Sequence, residues 1–155
     1  HGDACHTTLR KGMCKGIGVY LPHLRMLSEK YGTKRVYLAT DDAAVIKSIS
    51  SPTIAAEFEF IYIKDGDAAR KLMDSGQLIE RRTDLYQDAS NSGHTLMMSA
   101  LVDLLLLTDT DAFVGHFLSN LSRLAVEMMA AKKGHLPPYV SMDGPWCPHW
   151  KMCVK

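Results

Sequence analysis

Two adjacent carboxylates follow the first predicted strand of the chain. Thr40, Asp41 and Asp42 come directly after the short predicted strand 35–39 and open a helix that reaches about Ile49. Acidic residues in the first turn of a helix are stabilising because they face the positive end of the helix dipole. Paired aspartates also bind ribose hydroxyl groups or divalent cations. The pair therefore fits either a helix cap or a ligand site.

Ser119 and Asn120 follow another short predicted strand, 111–115, and open the predicted helix 119–132. The first backbone N–H groups of a helix have no partner within the helix, and the helix dipole attracts anions there. A diphosphate group would fit this position. Ser and Asn also open many helices that bind no ligand, so a simple N-cap is the alternative interpretation.

Asp103 is unusual because it lies within the apolar run 100–107. A buried carboxylate costs several kcal/mol unless it is paired. The edge of a guanine base offers two adjacent N–H donors, which a carboxylate accepts in a bidentate manner. The alternatives are that Asp103 faces solvent or forms a structural ion pair with Arg123 or Lys132.

Other catalytic signatures are missing from the sequence. The histidines have neither HExxH nor HxH spacing, and there is no GxSxG, Walker or GxGxxG motif. We therefore predict no metal site. The four cysteines form two local pairs, Cys5 with Cys14 and Cys147 with Cys153. This arrangement fits disulfides in a secretory compartment. The alternatives are free thiols, or a zinc site formed by Cys147, His149 and Cys153.

The hydrophobic pattern predicts alternating helices and strands. We expect helices at 20–31, 42–49, 68–79, 95–107 and 119–132, strands at 35–39, 58–63, 111–115 and 139–142, a chain break at Ser51-Pro52, and a loop at 81–92. Such alternation is typical of an α/β fold, a Rossmann-like parallel sheet with helices on both faces. Ligands bind at the carboxyl ends of the strands in these sheets, where the polar groups above lie.

The bulk composition is that of one soluble globular domain spanning residues 1–155. Apolar residues make up 46% and charged residues 23%, and the net charge of +1 gives no reason to expect a nucleic acid partner. The most apolar run, 96–107, is too short to cross a bilayer and contains Asp103, so we expect no membrane segment. Because the chain opens on His1 without a methionine, we expect a processed or partial chain.

Three segments, in order along the chain, resemble the C-terminal domain of the α-1,6-fucosyltransferases, GT-B enzymes that add fucose to the N-glycan core. His1–Asp3 resembles the end of an HxRRxD-type motif, and Val36–Asp42 resembles the VYLATDD segment of the family. Asp103 with the runs 111–113 and 117–128 resembles the third motif. The resemblance covers about two thirds of the chain, and the order of the segments makes it specific.

The resemblance implies a domain that binds GDP-fucose for an inverting transfer to a glycan or glycoprotein, without a metal or other cofactor. It implies that Asp103 holds guanine, that Ser119 and its neighbour contact the diphosphate, and that stabilisation of the leaving diphosphate drives the transfer. It further implies the Golgi or secretory lumen as the compartment. The implied catalytic residues are Asp3, Asp41 and Asp42, and the implied donor-binding residues are His1, Tyr20, Thr40, Asp103, Ser119, Asn120 and Arg123.

The chain also departs from the family pattern. His1 stands at the second Arg position of the first motif, Ala4 and Thr8 stand at or near the family's Lys and Glu, and Asn120 replaces a Gln. The resemblance also implies a two-domain fold, and we expect its N-terminal domain to lie outside these 155 residues. These departures motivate a second hypothesis, a catalytically inactive relative that serves as a structural or binding module in an assembly. A third hypothesis is a transferase for a different sugar nucleotide.

Overall fold

The computed structural model describes residues 16–63, 82–87 and 92–144. A 3₁₀ turn, Ile17–Val19, comes first. The helices are α1 (Leu21–Tyr31), α2 (Ala43–Ile49), α3 (Pro52–Glu57), α4 (Thr83–Gln87), α5 (Ser92–Thr108) and α6 (Asn120–Lys133). The strands are β1 (Arg35–Tyr37), β2 (Glu59–Ile61), β3 (Phe113–Gly115) and β4 (Tyr139–Ser141).

These elements form two βαβ units. Strands β1 and β2 pair in parallel with Val36 opposite Phe60, and α2 and α3 make the connection between them. Strands β3 and β4 pair in parallel with Val114 opposite Val140, and α6 connects them. A parallel pair needs a long crossover, which the helices supply. The carboxyl ends of the paired strands therefore lie together within each unit.

The helix boundaries follow from local sequence signals. Gly32 and Gly134 both adopt the left-handed conformation, with φ of 71° at each, immediately after α1 and α6. A side chain at this backbone conformation would be strained, so glycine is suited to end both helices. Pro52 occupies the first turn of α3, a position that does not require its missing N–H.

The largest buried cluster belongs to the second βαβ unit. Its buried members are Leu104, Phe113, Phe117, Ala125, Val126 and Met129, against which Leu107, Leu121 and Met128 pack. The rings of Phe113 and Phe117 meet edge to face with centroids 6.0 Å apart. Helices α5 and α6 thus pack on each other and on β3, which fixes the loop that leads from β3 into α6.

The α/β class is confirmed in its coarse form, with helices and parallel strands alternating along the chain. Within the described ranges the strands form two separate two-stranded sheets, and a single sheet with helices on both faces is not seen. Each strand is three residues long and thus shorter than its prediction. No helix in this part of the chain is both long and apolar enough to cross a membrane.

The predicted loop at 81–92 was wrong where the structure describes it, because Thr83–Gln87 forms α4 and α5 already begins at Ser92. Leu85 is buried, and an ideal Cβ built on Gly93 would lie 2.8 Å from the carbonyl oxygen of Leu85. Glycine at this position therefore permits the close contact of the two helices. The predicted break at Ser51-Pro52 is confirmed, since α2 ends at Ile49 and the separate helix α3 begins at Pro52. The helix predicted at 68–79 lies outside the described residues.

Candidate functional site

Eight of the ten site residues that the sequence suggested lie in the described part of the chain. His1 and Asp3 fall outside it, as do Ala4, Thr8 and all four cysteines. The disulfide, thiol and zinc alternatives therefore stay predictions. In the parts of the chain that the structure does describe, no group of three or more His, Cys, Asp or Glu is arranged to hold a metal ion.

Asp103 is joined to the end of β1 by a hydrogen bond. The hydroxyl of Tyr37, the last residue of that strand, donates to Oδ1 of Asp103 over 2.5 Å, and both side chains are half-buried. The charge of Asp103 is therefore kept inside the apolar helix α5 by a polar partner from the first βαβ unit. Lys132, one of the ion-pair partners considered above, pairs with Asp109 instead.

Asp42 acts as the N-cap of α2. Its Oδ1 accepts the backbone N–H of Ala44 over 2.8 Å, and the hydroxyl oxygen of Thr40 accepts the N–H of Asp42 over 3.1 Å. The capping interpretation of this segment is thus confirmed for Asp42. Since Tyr37 precedes this segment by three residues, the bond to Asp103 brings the carboxylate of α5 to the same end of β1 as Thr40 and Asp41.

The loop from β3 into α6 is held by a carboxylate from the end of β4. Asp143 accepts the backbone N–H of Phe117 over 2.7 Å through Oδ1 and that of Leu118 over 3.1 Å through Oδ2. His116 Nδ1 lies 3.3 Å from Oδ2, and the Asp143 side chain is only 15% exposed. The carboxylate of Asp143 therefore accepts hydrogen bonds from the backbone N–H groups directly before the start of α6.

Ser119 and Arg123 shape the same loop. Ser119 takes the N-cap position of α6 with extended backbone angles, but its side chain makes no capping hydrogen bond to the helix. Its carbonyl accepts the N–H of Arg123 over 3.3 Å. Arg123 in turn donates its Nε to the carbonyl oxygen of Phe117. The guanidinium group is thereby held against the loop, while Asn120 is exposed at the first helical position.

Tyr20 belongs to this second group of residues. Its ring meets the ring of His116 edge to face, with centroids 5.9 Å apart. Burial, followed by the negative charge of Asp143, raises the pKa of the Tyr20 hydroxyl above its ordinary value. Tyr20 therefore stays neutral and lies beside His116, at the carboxyl end of β3.

The predicted site residues consequently fall into two groups in the structure. Asp103, Thr40, Asp41 and Asp42 lie at the carboxyl end of β1. A second group lies at the carboxyl ends of β3 and β4, and its predicted members are Tyr20, Ser119, Asn120 and Arg123. The 3₁₀ turn before Tyr20 contacts α2, which follows Asp42, and so connects the groups.

No protein-family model matches this chain, and no curated protein does. The resemblance to the α-1,6-fucosyltransferases therefore remains a prediction that rests on the motif residues.

Sequence reasoning missed three residues that organise these groups, namely Tyr37, His116 and Asp143. Tyr37 was assigned only to a strand, which was predicted to continue for two residues beyond it. Asp143 directly follows the predicted strand 139–142. The rule that ligands and polar groups gather at the carboxyl ends of parallel strands would have singled it out.

Proposed function

We propose that this chain is the donor-binding domain of a glycosyltransferase and holds GDP-fucose for transfer to a glycan or glycoprotein. In this proposal the two βαβ units are parts of a Rossmann-like parallel sheet with helices on both faces. The transfer is inverting, needs no metal, and takes place in the Golgi or secretory lumen. The proposal draws on the three motif segments and on the placement of Asp103.

The observation that carries the proposal is the bond from Tyr37 to Asp103. A carboxylate within an apolar helix is costly unless partners compensate it, so its presence calls for a specific reason. The Tyr37 hydroxyl orients the carboxylate at the end of β1. Guanine presents two adjacent N–H donors, a pattern that a carboxylate accepts in a bidentate manner. ADP and UDP lack this pair of donors.

The diphosphate is assigned to the start of α6, next to Ser119, Asn120 and Arg123. Helix α6 has 14 residues, so its dipole is well developed, and the Arg123 side chain lies against the same loop. The leaving diphosphate would be stabilised there as the bond to fucose breaks. Asp3, Asp41 and Asp42 are the proposed catalytic carboxylates, with Asp42 also acting as the helix cap.

Titration calorimetry with GDP, ADP and UDP tests the proposal. We expect the chain to bind GDP more tightly than the other two nucleotides. Asp103→Ala should weaken GDP binding by about tenfold or more and remove the preference, because a bidentate base contact discriminates by about 1–3 kcal/mol. Asp109→Ala is the matched control, because Asp109 is an exposed carboxylate just beyond the same helix. This variant should bind GDP as the wild type does.

The absence of heat from GDP and from GDP-fucose at millimolar protein would refute donor binding. Equal affinity for GDP and UDP in the wild type would instead favour a transferase for a different sugar nucleotide. If Asp109→Ala weakened GDP binding as much as Asp103→Ala, the assignment of guanine to Asp103 would be wrong.

A second candidate function is a catalytically inactive module that serves a structural or binding role in an assembly. It is favoured by Asp143, whose carboxylate accepts the N–H groups of Phe117 and Leu118 next to the proposed diphosphate position. A negative charge at this place opposes a second anion. Fucose transfer by the intact gene product, measured with GDP-fucose and a glycoprotein acceptor, would rule this candidate out.

A further inference from the structure

Helix α5 is apolar around most of its circumference, although only one side of it is buried. Leu96 and Leu104 are buried, and Leu107 packs on the core cluster. Six large apolar side chains on the remaining surface of α5 are 39–56% exposed. We call these residues the apolar stripe: Met97, Met98, Leu101, Val102, Leu105 and Leu106. A helix that is apolar all round is normally covered on all sides.

The apolar stripe is continuous and carries no charge. Its residues recur at spacings of one and four along α5, which places them side by side on about half of the helix surface. The only charged residue within α5 is Asp103, which is half-buried and bonded to Tyr37. Any partner on this surface must therefore be apolar along nearly the whole length of the helix.

We propose that the apolar stripe binds the same stripe of a second copy of this chain, with the two α5 helices antiparallel. The six side chains expose about 500 Å² of apolar surface, which is the size of the largest apolar patch on a typical monomer, and such patches are often functional. Two such surfaces together would bury about 1,000 Å², which reaches the lower limit for a specific interface. A self-complementary apolar surface is what a two-fold symmetric dimer requires.

The sequence of α5 also defines the register of this pairing. If the two-fold axis passes between Leu101 and Val102, Met97 of one copy faces the partner's Leu106, and Met98 faces the partner's Leu105. The flexible methionines then pack against leucines throughout. In the same register His94, exposed near the start of α5, faces the partner's Asp109, which is exposed just after its end.

The antiparallel arrangement is favoured electrostatically for two reasons. Opposed helix dipoles place the positive end of one α5 beside the negative end of the other. The His94 imidazole, an N–H donor, would lie opposite a carboxylate at both ends of the interface. Asp109 also pairs with Lys132 of its own chain, so the His94 contact contributes to register more than to affinity.

Sedimentation equilibrium of the purified chain over a concentration series tests the dimer. We expect a reversible monomer–dimer equilibrium in the wild type. Leu105→Glu should raise the dimer dissociation constant by about a hundredfold, because it buries two charges within the apolar interface, each opposite a methionine. Met26→Glu is the control, because Met26 is 48% exposed and lies on a different helix, α1. This variant should dimerise as the wild type does.

A charge reversal tests the register without touching the apolar stripe. His94→Asp should raise the dissociation constant by about threefold to tenfold, since it sets two carboxylates against each other at each end. Combining His94→Asp with Asp109→Lys should restore it. Both variants lie on exposed positions, so circular dichroism should show unchanged folding.

A wild type that stays monomeric at all concentrations would overturn the proposal. An equal rise of the dimer dissociation constant in Met26→Glu and Leu105→Glu would overturn it as well. A dimer that responds to Leu105→Glu but ignores the charge reversal and its compensation would overturn the antiparallel register. None of these outcomes depends on nucleotide binding, so the dimer and the proposed donor site are tested separately.

Discussion

Replacing Tyr37 with Phe removes one hydroxyl and leaves the aromatic ring, so it isolates the bond to Asp103. A hydrogen bond to a charged acceptor contributes about 1.5–3 kcal/mol to stability. Both side chains are half-buried, so solvent screens the bond in part. We therefore expect Tyr37→Phe to lower the free energy of unfolding by about 1–2 kcal/mol.

Asp103 has further polar contacts, so the effect of removing it alone would not measure this bond. A double-mutant cycle solves the problem. The wild type, Tyr37→Phe, Asp103→Ala and the double variant would be unfolded in urea at neutral pH and followed by far-ultraviolet circular dichroism. Linear extrapolation gives each free energy of unfolding, and we expect a coupling energy of about 1–2 kcal/mol between the two positions.

Tyr31→Phe is the matched control for the loss of a hydroxyl. Tyr31 is 48% exposed at the end of α1, and its replacement should change stability by less than about 0.5 kcal/mol. If Tyr37→Phe behaved like Tyr31→Phe, or if the coupling energy were within error of zero, the bond would not hold Asp103 in place. The orientation of the carboxylate toward a guanine base would then lose its physical basis.

Three further outcomes are expected. Gly93→Ala should destabilise the chain by about 1–3 kcal/mol, although alanine normally stabilises a helix, because the new Cβ would meet the carbonyl oxygen of Leu85. Gly18→Ala is the control, because a Cβ built on Gly18 has no neighbouring atom within 4 Å. It should be nearly neutral in the same urea titration. Tyr20 has a raised pKa in the folded state, so its stabilising effect is complete below about pH 10, where the tyrosine of the unfolded chain ionises, and is lost as the pH rises through the folded pKa. Tyr20→Phe should therefore lose less stability than the wild type between pH 9 and pH 11. Equal losses in the two proteins would contradict the raised pKa of Tyr20. Asp143→Ala should cost about 1–3 kcal/mol by leaving two backbone N–H groups without their carboxylate, and added pyrophosphate should recover part of this in thermal unfolding if the loop accepts an anion.

Helix boundaries and the α/β class could be predicted from the sequence because their signals are local. The helix predicted at 20–31 ends at the same residue as α1, Tyr31. Ser119 was correctly placed at the start of α6, where it is the N-cap residue. Each of these features depends on backbone conformation and side-chain chemistry within one or two helical turns.

The remaining features depend on contacts between distant residues. Helix α4 is only five residues long and is fixed by the burial of Leu85 against α5, which a local polar pattern does not reveal. The partner of Asp103 lies 66 residues away, so the sequence left solvent, an ion pair and guanine as alternatives. The role of Asp143 likewise became visible only when β3 and β4 were seen to be neighbours.

The bond between Tyr37 and Asp103 also has a consequence for the order of folding. Contacts within each βαβ unit join residues only 24 to 26 positions apart, as in Arg35 with Glu59 and Phe117 with Asp143. The Tyr37–Asp103 bond closes a loop of 66 residues, which costs more chain entropy and gains a single polar contact. The two units should therefore form first and dock late, after the rate-limiting barrier. Loss of this bond would then accelerate unfolding and leave the folding rate almost unchanged.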